Sequence, residues 1–341
     1  MAELPVCRLE QLGVFTSTQA RTHGLTRHAV QWLLEKRALV ALRRGVYVDG
    51  QLYVAMSPIE RSKARAVAAC LLRPGSAISH HSAALMHELP MLGARPVELA
   101  LTVPATSNQR GERSRDLRIY AAELPTWHVS SRGAWAVTSV ARTVCDLARH
   151  HPAVDALVAL DGALSRRLTT LDAVRKVRDE CGSWPGGLRM HLVVAHAVEG
   201  SESPYETVAR WQLVTRGYRV TPQVWAFDER GPIGCGDLWQ PDLWCFLEVD
   251  GDIKYVGTGD LSPLLSEKRR QERLERAGFG VARASTRETL KGGSLAEEID
   301  RAAMRGRIAR MASSRATGYV GPPPEWARRG TVIEYAYPPN P

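Results

Sequence analysis

An acidic hairpin in the last third of the chain constrains the fold more than any other segment. Residues 234–251 read GCGDLWQPDLWCFLEVDG, and Gln-Pro-Asp predicts a tight turn near residues 241–242 between two strands. Because strand side chains alternate between faces, Glu248 and Asp250 point the same way, and Asp237 falls opposite Glu248. Clustered carboxylates repel one another unless a cation or a shared proton relieves them. The hairpin therefore predicts a divalent-metal site or, alternatively, a solvated turn with incidental acids.

Composition restricts the classes of protein that are possible. The chain has 341 residues, enough for two or three domains, and its net charge of +9 favours a polyanionic partner. We find neither an apolar run near the ~20 residues that span a bilayer nor a signal peptide at residues 1–5. The 6 cysteines form no Cys-x-x-Cys pair, which argues against a zinc ribbon. Scattered thiols fit a reducing cytoplasm, so we expect a cytoplasmic multidomain protein without a membrane partner. The helices and strands predicted below make its fold class α+β.

Residues 1–52 are typical of a small DNA-binding domain. Thr16 begins one helix and Thr26 caps a second, in which apolar residues recur at helical spacing. Residues 39–48 then read as a hairpin with a basic tip. This order predicts a winged helix-turn-helix, whose second helix enters the major groove of DNA while the wing reaches the backbone. The expected DNA contacts are Arg27, His28, Arg43 and Arg44. The alternative is a small helical domain with a solvated basic face.

Residues 53–199 predict a mixed α/β middle domain without recognisable catalytic motifs. Helices are expected over residues 60–72, 138–148, 154–164 and 170–179, and strands over residues 97–103 and 117–120. His80 and His81 suggest a metal site, but adjacent helical residues face different directions and chelate poorly. We therefore favour capping and core roles for this pair.

Residues 200–290 bring the acidic hairpin into an α/β context. Ser203 and Pro204 predict the start of a helix that carries Glu206 in its first turn. Oxygen ligands at Asp237 and Glu248 suit Mg²⁺, and Glu206 could complete the site. Lys254 is the nearest lysine that could stabilise an anion. A charged helix follows and predicts contacts with a phosphate backbone through four residues: Lys268, Arg269, Arg270 and Arg273.

The same segment carries a family pattern. Ser-Pro-x-Glu at 203–206 precedes Gly-x-x-Asp-Leu at 234–238, Glu-x-Asp-Gly at 248–251 and a basic helix that ends in Ala-Gly-Phe. Residues 202–285 thus resemble the very-short-patch-repair (Vsr)-like branch of the PD-(D/E)XK endonucleases. The resemblance implies a restriction-endonuclease-like mixed sheet flanked by helices, Mg²⁺ (or Mn²⁺) on Asp237 and Glu248, and auxiliary acids at Glu206 and Asp250. Asp250 stands where the superfamily usually has its catalytic lysine, a role that Lys254 could take over.

The first two hundred residues resemble a second group. Its motifs are His-Ser-Ala-Ala at 81–84, Leu-Thr-Val-Pro at 101–104 and the segment 138–148, after a winged-helix start. These features resemble the abortive-infection AbiEi-type antitoxins (type IV toxin–antitoxin systems) of actinobacteria. The resemblance implies transcriptional autorepression and a nucleotidyltransferase-like toxin as partner.

Two functions follow as expectations. The leading hypothesis is a DNA-binding protein whose C-terminal domain is a Mg²⁺-dependent endonuclease. The alternative is a non-enzymatic antitoxin and autorepressor with an inactive nuclease-like fold. Residues 291–341 are expected to form a basic helix and an irregular, Pro-rich tail.

Overall fold

The computed structural model describes residues 11–93, 98–105, 111–250, 262–292, 294–312 and 317–327. The chain divides into two compact units, Met1–Ala163 with Arg167–His196 and Leu164–Arg166 with Ala197–Pro341. The described residues form helices as well as strands, and the strands assemble into three sheets. The expected α+β class is therefore confirmed. The finer division into segments ending at residues 52, 199 and 290 stays a prediction.

The first unit opens with two short helices and a three-stranded antiparallel sheet of order β1-β3-β2. Thr16 and Thr26 cap the two helices, as expected, by accepting hydrogen bonds from the backbone N–H groups of Gln19 and Ala29. The helix–helix–hairpin order is confirmed, while its assignment as a winged helix stays a prediction. The elements are β1 (Val14–Thr16), α1 (Ser17–Thr22), α2 (Arg27–Glu35), β2 (Leu39–Arg43) and β3 (Val46–Asp49).

The elements from Gly50 to Ala195 include a six-stranded mixed sheet of order β6-β7-β5-β4-β9-β8. Its strands β5 and β7 run parallel, with Leu101 paired to Ile119. The elements are α3 (Gly50–Ala55), α4 (Pro58–Leu71), β4 (Ala77–Ile78), α5 (His80–Met86), β5 (Leu99–Pro104), β6 (Glu112–Arg113), β7 (Leu117–Ala122), β8 (Val129–Arg132), β9 (Trp135–Thr138), α6 (Val140–His150), α7 (Ala153–Ser165), α8 (Leu171–Cys181) and α9 (Gly187–Ala195).

One hydrophobic core joins the opening sheet to the larger one. Val14 and Val48 of the small sheet cluster with Val67 of α4 and with Ile78 and Leu101 of the six-stranded sheet, and all five are buried. Burial of aliphatic side chains is the main stabilising contribution to folding. The helix–hairpin segment is therefore held to the rest of the first unit by a common apolar interior.

The second unit is a five-stranded sheet of order β13-β12-β11-β10-β14, antiparallel except for the parallel pair β12–β13. Alternate residues of the hairpin enter different cores: Leu238 and Leu247 enter one, and Trp239 and Phe246 enter the other. The elements are α10 (Pro204–Val214), β10 (Thr221–Asp228), β11 (Gly231–Gln240), β12 (Cys245–Asp250), α11 (Ser262–Arg276), β13 (Gly280–Ser285), α12 (Thr286–Lys291), α13 (Leu295–Ala312) and β14 (Tyr319–Gly321).

Two glycines let α13 pack closely on β13. A Cβ atom on Gly306 would lie 2.5 Å from the backbone nitrogen of Gly280, and one on Gly280 would lie 2.7 Å from the carbonyl oxygen of Ala302. Side chains at either position would push the helix away from the strand. The helix expected after residue 291 thus packs in the core of the second unit.

Part of the tail that the sequence predicts to be irregular forms a short strand, β14, at Tyr319–Gly321. Strand β14 pairs with β10, and Tyr319 stacks on Phe227 with ring centroids 5.1 Å apart. Trp326 contacts Trp225 in an edge-on arrangement at 5.3 Å. Aromatic side chains on β10 offer an apolar edge, which Tyr319 and Trp326 cover. No helix among the described ranges is long and apolar enough to cross a bilayer.

Candidate functional site

Asp237 and Glu248 lie on neighbouring strands, as the hairpin pattern predicts. Leu238 pairs with Leu247, so one further step along the antiparallel ladder places Asp237 opposite Glu248. The carboxylate of Asp237 accepts a hydrogen bond of 2.8 Å from the backbone N–H of Val249. This bond holds the Asp237 side chain against β12, beside Glu248.

Glu206 reaches the same region from the first turn of α10. Ser203 caps this helix and accepts a hydrogen bond of 3.2 Å from the N–H of Glu206. Oε2 of Glu206 accepts hydrogen bonds from the backbone N–H of Glu202 at 2.9 Å and from the side-chain amide of Gln223 at 3.2 Å. Only 5% of Glu206 is exposed. The helix cap and Gln223 therefore fix the orientation of this acid. The contact with Gln223 was not predicted from the sequence.

The charge of Asp237 affects the pKa of both glutamates. We call Glu206, Asp237 and Glu248 the acid cluster. Burial, followed by the charge of Asp237, raises the pKa of Glu206 to about 7, although its hydrogen bonds oppose the shift. Burial also raises the pKa of Glu248 to about 7; Asp237 adds to this effect and Arg270 opposes it. The carboxylate of Asp237 thus repels both glutamates, as the sequence predicts for a crowded acidic edge.

Glu248 has one oxygen without a hydrogen-bond partner among the residues that the structure describes. Its Oε2 forms an ion pair with Arg270, while its Oε1 is buried and unpartnered in that part of the chain. Only 5% of Glu248 is exposed, so water has little access to this side chain. An unsatisfied buried acceptor is costly and calls for a donor or a cation.

A network of arginines borders the acid cluster. Arg270 of α11 donates to Glu248, to Glu267 and, at 2.9 Å, to the carbonyl oxygen of Cys235. Arg283 of β13 donates to Glu267 and, at 3.2 Å, to Asp250. Asp250 is thus engaged by Arg283. Arg283 cannot be predicted from local sequence, because the parallel register that sets it beside Glu248 joins distant segments.

The donor set fits a hard divalent cation chemically, although it is not a preformed cage. Carboxylate oxygens are the protein ligands that Mg²⁺ and Mn²⁺ prefer, and Oε1 of Glu248 lacks a partner among the described residues. However, within those residues no group of three or more His, Cys, Asp or Glu side chains is arranged to hold a metal ion. A cation here would bind Glu248 through Oε1, since Arg270 already holds Oε2. Lys254 lies outside the described residues.

The predicted DNA-reading residues are partly accessible. Arg27 and His28 lie exposed on α2, and Arg44 is exposed at the hairpin tip. Arg43 instead forms an ion pair of 2.8 Å with Asp116. Trp32, which the sequence analysis did not select, is 57% exposed on the same helix. A large exposed ring beside cationic side chains is a signal that burial reveals and sequence periodicity alone does not.

The four cations predicted on α11 fall into two pairs. Lys268 and Arg269 are exposed. Arg273, like Arg270, is engaged within the unit: it donates to Asp228 at 2.7 Å and to the carbonyl oxygen of Pro232 at 3.0 Å. Their contacts with a phosphate backbone stay a prediction, for which Lys268 and Arg269 are the accessible pair.

No protein-family model matches this sequence, and no curated protein matches it. Among solved structures, the chain is similar to one described as the crystal structure of RV2827C protein from Mycobacterium tuberculosis. The sequence identity is 15%, the match covers 65% of this chain and 85% of that chain, and the TM-score is 0.34. A likeness this weak carries no argument about function, so the resemblances to nucleases and antitoxins stay predictions.

Proposed function

We propose that the protein binds DNA and that its second unit hydrolyses phosphodiester bonds with the help of Mg²⁺ or Mn²⁺. The observation that carries this proposal is the acid cluster. Its two buried glutamates have a pKa of about 7, to which the negative charge of Asp237 contributes in both cases. Titratable groups perturbed by burial and by a specific charge partner are typical of functional sites. Under this proposal, the second unit is a restriction-endonuclease-like domain and the opening segment is a winged helix.

Asp237 and Glu248 would hold the cation in this proposal. A bound divalent ion supplies a more acidic water and neutralises charge that develops on the phosphate. Val249 orients Asp237 through its backbone N–H, and Arg270 holds Oε2 of Glu248, so that Oε1 of Glu248 would be the oxygen offered to a cation. Glu206, with a pKa of about 7, is ready to take up or release a proton at its carboxyl group near neutral pH.

DNA would be bound by exposed polar and cationic side chains of both units. In the first unit, Arg27 and His28 on α2 and Arg44 at the hairpin tip are accessible for groove and backbone contacts. In the second unit, Lys268 and Arg269 are exposed on α11 and directly precede Arg270. Phosphate contacts of this kind give affinity that falls steeply with salt. Asp250 keeps the auxiliary role that the family resemblance implies, and Lys254 keeps the role of the catalytic lysine.

Nicking of supercoiled plasmid DNA in Mg²⁺ or Mn²⁺ tests the proposal. We expect the wild-type protein to convert supercoiled to open-circular DNA, and Asp237→Asn or Glu248→Gln to abolish conversion while DNA retention in a gel-shift assay persists. Asp242→Asn is the matched control, because Asp242 lies in the same hairpin but forms its ion pair with Arg219. Absence of nicking by wild-type protein in both metals would refute the enzymatic assignment.

A second candidate function is favoured by one specific observation. Arg270 and Arg283 engage Glu248 and Asp250, so the structure compensates part of the acidic charge without a cation. This arrangement suits a non-enzymatic regulator: an antitoxin that represses its own operon and neutralises a nucleotidyltransferase-like toxin. It predicts sequence-specific binding to upstream DNA that is weakened by Arg44→Ala and unaffected by Asp237→Asn. Equal binding of upstream and unrelated DNA would contradict it.

A further inference from the structure

A cavity of about 460 Å³ lies in the first unit, on the six-stranded sheet. Its wall is formed by the start of α5, strands β5, β6 and β7, helix α6 and Pro185. Cavities of this size accommodate metabolite-sized molecules. Every residue that lines it belongs to the first unit, so the cavity is separate from the acid cluster.

Three of the residues that line this cavity each carry a buried polar atom with no hydrogen-bond partner within the described part of the chain. The atoms are Nε2 of His80, Oγ1 of Thr102 and Nη2 of Arg142. The exposed fractions of these residues are 1%, 0% and 1%. Buried polar groups in folded proteins are nearly always paired, so three orphans on one wall indicate a missing binding partner. They come from three separate elements, α5, β5 and α6.

The charge of the wall is positive. Asp146 lies between two guanidinium groups: it accepts from Arg142 at 2.9 Å and from Arg149 at 3.2 Å. Two buried cations thus share one carboxylate. The lining carries three further charged residues, one acid and two cations: Glu112, Arg113 and Arg118. Because a buried charge needs an opposite charge nearby, this excess favours an anionic ligand.

The donors are held in fixed positions. Arg142 donates to Asp146 and to the carbonyl oxygen of Glu123 at 3.0 Å, and it lies over the ring of Trp184 at 4.8 Å. These contacts engage Nε and Nη1 of Arg142 and leave Nη2 without a partner among the described residues.

His80 is fixed as well. Its Nδ1 contacts the hydroxyl of Ser79 at 2.9 Å, and its ring stacks on Tyr120 with centroids 3.6 Å apart. The φ angle of His80 is +52°, a region in which a non-glycine residue is strained. Strain of this kind persists where the surrounding structure enforces it, often at ligand sites.

We propose that this cavity binds a small phosphate monoester, whose phosphate group is held by Nη2 of Arg142, Oγ1 of Thr102 and Nε2 of His80. A phosphate presents three terminal oxygens in different directions, which matches three donors from three elements, whereas a carboxylate presents two. Ile119, Ala121 and Pro185 give the wall an apolar portion for the organic part of the ligand. Burial lowers the pKa of His80 well below its ordinary value, so its imidazole is neutral and can donate through Nε2 when Ser79 donates to Nδ1.

Calorimetric titration of the full-length protein in EDTA tests this proposal, with inorganic phosphate, AMP, adenosine and acetate as probes. We expect phosphate and AMP to bind, and adenosine and acetate to bind at least tenfold more weakly. Thr102→Val removes one orphan hydroxyl at nearly constant volume. It should weaken AMP binding by about tenfold or more, because hydrogen bonds to charged groups contribute at that level, while leaving the melting temperature of the free protein unchanged or higher.

Thr289→Val is the matched control, since Thr289 is equally buried but donates to the carbonyl oxygen of Ser285 at 3.0 Å in the second unit. This variant should bind AMP like the wild type. Failure of phosphate and AMP to bind, tighter binding of acetate, or unchanged AMP affinity in Thr102→Val would each overturn the proposal. None of these results depends on nuclease activity.

Discussion

Replacement of Glu248 by glutamine should stabilise the metal-free second unit, although it removes one partner of an ion pair. The pKa of Glu248 is raised from 4.5 to about 7. Burial is the largest cause and the charge of Asp237 adds to it, while the charge of Arg270 acts in the opposite direction. Each pKa unit of separation between folded and unfolded states corresponds to about 1.4 kcal/mol. The ionised carboxyl group therefore lowers the free energy of unfolding by at most about 3 kcal/mol at pH 8.

The pH dependence fixes the sign of this effect. An acid whose pKa is raised by folding is protonated more readily in the folded state, so its contribution is most favourable below pH 4.5. That contribution is lost as the pH rises from 4.5 to about 7, and it stays lost above this range. Glutamine has no such charge. The difference between variant and wild type should therefore be small at pH 4.5 and grow to about 3 kcal/mol at pH 8.

Hydrogen–deuterium exchange of peptides from β11 and β12 measures this free energy in the second unit itself. Samples in EDTA at pH 4.5, 6 and 8 define the profile. Glu267→Gln is the control of opposite sign. Burial would raise the pKa of Glu267, but hydrogen bonds and charges from Arg270 and Arg283 outweigh it and lower the pKa. That variant should be less stable at pH 8. Destabilisation by Glu248→Gln at pH 8, or an effect independent of pH, would refute the reasoning.

Three further predictions concern the second unit. Millimolar Mn²⁺ at pH 8 should slow exchange of β12 in wild-type protein but not in Glu248→Gln, because a cation that binds only the folded state stabilises it; equal slowing in both would contradict this. Ser203→Ala should cost about 1 kcal/mol in urea unfolding, since it removes the cap on the N–H of Glu206. Gly306→Ala should cost about 1–3 kcal/mol in the same assay, because its Cβ would lie 2.5 Å from the backbone of Gly280; wild-type stability would show that α13 does not pack so closely.

Local patterns predicted the elements around the candidate site well. The alternation of the hairpin and its Gln-Pro-Asp turn placed Asp237 opposite Glu248, and Ser203 with Pro204 located the start of α10. These features depend on residues close together in the chain, so a single sequence carries them.

Long-range pairings could not be predicted in the same way. The neighbour of Glu248 on the far strand is Arg283, set by a parallel register between segments about 35 residues apart. Arg270 and Arg273 form ion pairs with acids of the sheet, and this depends on which face of α11 packs on the sheet. The cavity likewise gathers His80, Thr102 and Arg142 from three elements, and no local spacing links them.

Binding of Mn²⁺ to the wild-type protein, followed by electron paramagnetic resonance, tests most directly whether the acid cluster holds a divalent cation. We predict a Mn²⁺ site at pH 8 that disappears in Asp237→Asn and in Glu248→Gln and persists in Asp242→Asn. Undetectable Mn²⁺ binding by wild-type protein, or binding that is the same in all four proteins, would contradict the account.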